Sequence, residues 1–99
     1  KRDQAGVSER PDPRKLLRAA ERELGDAEAD VERLEAEVQS LTTALEDPGL
    51  YARPDGVVEA RRLGVSLETR KRTLDAALAR WTAASENFET LSAATARDA

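Results

Sequence analysis

The 99 residues make one small domain at most, because 39% are apolar and only three are aromatic, too few to fill a thick globular core. Charged residues make up 36%, 16 basic against 20 acidic, for a net charge of −4. Neither Cys nor His occurs, which excludes disulfide frameworks, thiolate or imidazole zinc sites, and Ser-His or Cys-His catalysis. No apolar run approaches the roughly 18–20 residues of a membrane span, and no secretory segment stands out. A cytoplasmic location without membrane contact is expected. The chain opens on Lys1 rather than Met, as a fragment or a processed product would. Ala, Glu, Leu and Arg dominate, which is coiled-coil composition.

Lys1–Pro13 is polar, mixes three basic with three acidic residues and shows no periodicity. It reads as a flexible, disordered linker. Asp12 before Pro13 suits a helix start, with Asp as N-cap and Pro at the first helical position. A first helix is predicted over about 14–46, since its only glycine is Gly25 and it holds no proline. Its apolar residues Leu17, Ala20, Leu24, Ala27, Val31, Leu34, Val38, Leu41 and Leu45 alternate three and four apart. That spacing is a heptad seam and predicts a left-handed coiled coil.

Asp47-Pro48-Gly49 stops this helix and Pro54-Asp55-Gly56 opens the next, leaving a connector over 47–55. Leu50 and Tyr51 are expected to plug the open end there. The second helix is predicted over about 56–95. Its seam is traced through Val57, Ala60, Gly64, Leu67, Lys71, Leu74, Leu78, Trp81, Ser85 and Phe88, with Leu63 and Leu91 just off it. Trp81 and Phe88 read as core residues, and Lys71 as a register-setting polar residue opposite Leu34. Two seams joined by so short a connector predict an all-α fold, an antiparallel two-helix coiled-coil hairpin over 14–97, monomeric in isolation. Facing positions should then have numbers summing to roughly 105, and helices of ~32 residues would be about 48 Å long.

Paired carboxylates such as Glu28 with Glu32 and Glu35 with Glu37 fall on the solvent face with arginines nearby, so solvation and i,i+4 pairing account for them. Gly49, Gly56 and Gly64 are isolated, so no phosphate-binding loop is present. The chain is not expected to be an enzyme, to bind a cofactor or to hold a metal. Charge is divided unevenly: residues 14–46 hold five basic and nine acidic residues, whereas 56–97 hold seven basic and five acidic. Arg53, Arg61, Arg62, Arg70, Lys71 and Arg72 crowd the tip-proximal half of the second helix and its approach. Such a stripe suits phosphate contacts. The competing reading has these arginines pairing with the acidic first helix across the hairpin, which would make the domain a structural or protein-interaction spacer.

The connector Leu45-Glu46-Asp47-Pro48-Gly49-Leu50-Tyr51-Ala52-Arg53, followed by a long helix through Arg80-Trp81, resembles the C-terminal coiled-coil domain of Uup-type ABC-F ATPases. The resemblance spans about residues 14–91. It implies a piece of a soluble protein with two ATP-binding cassettes, whose ATP, Mg and catalytic motifs belong to the parent and not to this chain. It also implies a DNA or ribosomal RNA partner and, for the parent, a role in translation or antibiotic resistance. Gly64, Ser66 and Thr69, and the run Thr82-Ala83-Ala84-Ser85, depart from that family's pattern. Pro54-Asp55-Gly56-Val57-Val58-Glu59 is similar to the second-helix start of the tRNA-binding arm of valyl-tRNA synthetases, the alternative family.

Overall fold

A computed structural model describes residues 12–98. Three helices follow in order: α1 (Pro13–Glu46), α2 (Pro48–Ala52) and α3 (Gly56–Asp98). No strand occurs among the described residues. The expected linker over residues 1–11 lies outside the described residues, and Pro13 is the first residue of α1 rather than the last of the linker.

Each helix start has a local cause in the sequence. The Asp12 carboxylate accepts a 3.0 Å hydrogen bond from the Arg14 N–H, and Pro13 follows in the first helical position, as predicted. Asp47-Pro48 repeats this device at the far end of α1. The Asp47 carboxylate accepts from the Gly49 N–H at 2.9 Å and starts α2, while its own N–H donates to the Ala44 carbonyl at 3.3 Å and closes α1. The connector over 47–55 is therefore partly helical. A second Asp-Pro pair suffices to nucleate a turn when its side chain satisfies a helix-end donor.

The tip is packed by two neighbouring residues with different roles. Leu50 is buried at 5% exposure. Tyr51 is half-exposed, and its hydroxyl donates a 2.8 Å hydrogen bond to the Leu45 carbonyl in the last turn of α1. Only Leu50 thus behaves as the expected plug, and Tyr51 instead caps a carbonyl with no helical partner. Gly56 begins α3 beside them, its N–H donating to the Arg53 carbonyl at 3.0 Å. A Cβ on Gly56 would stand 2.1 Å from the Leu50 carbonyl oxygen, so the chain can turn here only where no side chain intervenes.

Beyond the tip, α1 and α3 run antiparallel as a rod with extents of 75 × 28 × 14 Å. Among the described residues the buried apolar ones are Ala20, Ala27, Leu34, Leu50 and Ala84, so the core is one thin line of three alanines and two leucines. Ala20, Ala27 and Leu34 recur every seven residues, as the first seam predicts. The second seam needs correction at Val57, Lys71 and Leu78. Ala60, Gly64, Leu67, Leu74, Ser85 and Phe88 are at least half-buried as expected, but Leu63, Ala77, Ala84 and Leu91 beside them turn inward as well, and Leu78 is exposed. Val57 is 65% exposed, and the Lys71 side chain is 53% exposed beside Glu68, so neither sits in the seam. The reason is burial: Leu63, Ala77, Ala84 and Leu91 add apolar surface to the contact with α1, whereas Lys71 would have placed a charge there. Trp81 keeps its seam position yet remains 37% exposed, more open than a core filler.

Gly25 and Gly64 sit inside α1 and α3 with nothing within 4 Å of where a Cβ would be. Each lowers helix stability without a steric need. Gly25→Ala and Gly64→Ala are each expected to stabilise the hairpin by about 0.5–1 kcal/mol, read as a higher urea midpoint at unchanged slope.

Candidate nucleic-acid interface

Three ion-pair contacts tie α3 to α1, and they lie on one flank of the rod. Arg80 donates through Nε to Glu23 Oε2 and through a terminal nitrogen to Asp30 Oδ2, both at 2.8 Å. Nearer the tip, Arg70 Nε lies 2.8 Å from Glu37 Oε1, and Arg33 on α1 reaches Glu37 Oε2 at 3.0 Å. The partner numbers, 23 and 30 with 80 and 37 with 70, bracket the expected register of facing positions. Arg80, which the sequence marks only through the Arg80-Trp81 pair of the family resemblance, is thus a cross-helix clamp. Its signal was available, since two acids seven residues apart on α1 lie on one side of the helix.

Electrostatics follow this geometry. The hydrogen bond from Arg80, and then its charge, hold the Glu23 carboxyl below the usual carboxylate range, and the same contact raises the Arg80 guanidinium. Glu59 is lowered likewise by its bonded neighbour Arg62. A carboxylate whose folded value is depressed stabilises the fold above its ordinary value of 4.5, and that contribution is lost as pH falls through the lowered value. Unfolding of the wild type should therefore show a loss of stability on the acid side, below the ordinary carboxylate value of 4.5. Arg80→Gln should flatten the part that Glu23 contributes; thermal melts followed by circular dichroism at pH 6 and pH 3.5 measure both.

The six cations singled out in the sequence do not act as one patch. Arg53 lies at the tip, with Nε 3.9 Å from Asp55 Oδ1. Arg62 bonds Glu59 one turn earlier on α3, and Lys71 Nζ lies 3.7 Å from Glu68 Oε2. Arg70 turns to α1, as described. Arg61 and Arg72 are exposed and have no carboxylate within ion-pair distance among the described residues. Three helical turns apart, they share the side of α3 that faces away from α1. Val58 and Val65 stand on that same outward side, 70% and 65% exposed.

A cleft of about 420 Å3 at the tip is lined by Asp47, Leu50, Arg53, Glu59 and Leu63, with no nucleophile beside a base. Among the described residues no cluster of carboxylates is placed to hold a metal ion. Nor is any helix among them long and apolar enough to cross a membrane. The family profile described as the ABC transporter C-terminal domain matches residues 15–86. Neither a curated protein nor a solved structure matches the chain.

Proposed function

Since the chain belongs to the ABC transporter C-terminal domain family, a region distinct from the ATP-hydrolysing part of such proteins, we propose that it serves an ABC-F type ATPase of the Uup kind as a nucleic-acid-binding module. The outward face of α3 is the contact surface, and its ligand is the phosphate backbone of DNA or ribosomal RNA. One observation carries this reading: Arg61 and Arg72 are left unneutralised on a face that the hairpin itself does not use. Arg62 and Lys71 pair only with neighbours on their own helix, contacts that a phosphate can replace at little cost because surface pairs of this kind are weak. Binding would be electrostatic and largely independent of sequence. Family membership favours this assignment over the valyl-tRNA synthetase arm.

Arg70 plays a different part, because its guanidinium is committed to Glu37 across the hairpin. That commitment, together with the Arg80 clamp, is what favours a spacer role for the same domain. The two readings separate in a salt titration with fluorescent DNA and RNA duplexes. Arg61→Glu/Arg72→Glu should lower the slope of log affinity against log salt by about two, roughly one for each cation lost. Arg70→Gln should lower stability and leave the slope unchanged. Equal, weak binding by wild type and the double variant would reject the nucleic-acid reading and leave the spacer.

A further inference from the structure

The hairpin's largest group of unneutralised cations lies at the opposite end from the tip. Arg14, Lys15, Arg18 and Arg22 occupy the first three turns of α1, and all four are exposed. None has a carboxylate within ion-pair distance among the described residues. Acidic neighbours are within the same stretch: Glu21 and Asp26 on α1, and Glu86 and Glu89 at the matching level of α3. Among the described residues these four form no ion pair.

This grouping works against the helix that carries it. Arg14, Arg18 and Arg22 are spaced four apart, so like charges stack along the surface and repel. The first turn of α1 contains no acidic residue to offset them. Elsewhere the same chain neutralises Arg33, Arg62, Arg70 and Arg80 by direct pairing. A locally unfavourable choice confined to one surface marks a place selected for something other than folding.

Position then defines what the cluster can reach. Leu17, Ala20 and Leu24 form the seam in this half of α1, so Lys15, Arg18 and Arg22 face away from α3. Arg61 and Arg72 face away from α1. The two groups therefore lie on opposite sides of the rod, and antiparallel register separates their centres by about twenty residues, or roughly 30 Å along the axis. One straight duplex cannot touch both.

We propose that Arg14, Lys15, Arg18 and Arg22 form a second phosphate-backbone contact, so that the hairpin bridges two nucleic-acid segments instead of lying along one. This rests on the nucleic-acid reading of α3. A duplex of about 20 base pairs immobilised on beads, mixed with the chain and a second, fluorescent copy of that duplex, reads bridging directly. Wild type should retain the fluorescent duplex. Changing all four root residues to Gln should preserve binding to a single duplex and cut retention at least about tenfold at low salt. Circular dichroism keeps the comparison fair, since Gln removes the repulsion and the variant should melt no lower than wild type. Retention at the wild-type level by the root variant overturns the second contact. A failure of the first reading looks different: wild type binds no duplex at all, or Arg61→Glu/Arg72→Glu binds a single duplex undiminished.

Discussion

Gly56→Ala is expected to destabilise the hairpin by about 1–3 kcal/mol, toward the upper end of that range. The added methyl would meet the Leu50 carbonyl oxygen at 2.1 Å, and the next nearest atoms, Leu50 C and Tyr51 Cα at 3.1 Å, are backbone too. No side chain can swing aside to make room. Relief requires α2 to lift away from the start of α3, which would expose Leu50 and strain the hydrogen bond from Tyr51 to the Leu45 carbonyl. In a domain of this size each kcal/mol lowers the melting temperature by roughly 4–8 °C. The same substitution at Gly64 should shift it the other way, because that site is open. Opposite signs from one chemical change would isolate the close approach as the cause. A neutral Gly56→Ala in thermal melts would show that the tip is not packed as described.

Leu34→Ala should have a comparable or larger effect, about 2–4 kcal/mol. Leu34 is 2% exposed and is the one large side chain buried in the body of the rod, because Ala20, Ala27 and Ala84 fill the other buried positions and Leu50 belongs to the tip. A layer this thin has no second shell to collapse into the space left behind. The loss should appear as a lower urea midpoint. Substitution of Leu78, at 38% exposure, should fall well short of it.

Much of this architecture was legible in the sequence, and where it was not the reasons are physical. The first seam was readable because Leu17 to Leu45 obey one spacing without interruption, and burial on α1 follows it. The second seam offered two overlapping lines sharing Ala60, Leu67, Leu74, Trp81 and Phe88. Leu63 and Gly64 both end half-buried, and choosing between Ala77 and Leu78 depends on how closely the facing helix approaches, which spacing alone does not encode. Buried Ala20 and Ala27 on α1 admit a near approach, and small Ala77 suits it better than Leu78. At the tip, Asp47-Pro48 was recognised as a stop, but its second role as a start depends on where its carboxylate points.

The candidate interface divides in the same way. Sequence showed which residues crowd together between Arg53 and Arg72, and only packing shows that Arg70 is consumed by Glu37 while Arg61 and Arg72 stay free. The basic turns at the start of α1 were plain in the sequence, yet the negative total charge of that helix concealed them. Net charge averages over a length whose first three turns are positive while the rest of the helix is negative.

The small helical turn at Pro48–Ala52 also bears on how the chain reaches its native state. Closing the loop between α1 and α3 requires ordering only the few residues from Asp47 to Asp55, so contacts beside it form at the lowest entropic cost. Pairing then proceeds outward one layer at a time, like a zip fastener, with short sequence separations first and long ones last. The last layers to close are those around Leu17 and Phe88, which lie beside the repelling arginines of the first turns. Opening from that end, with the tip still clasped, is consequently the cheapest excursion available to the molecule.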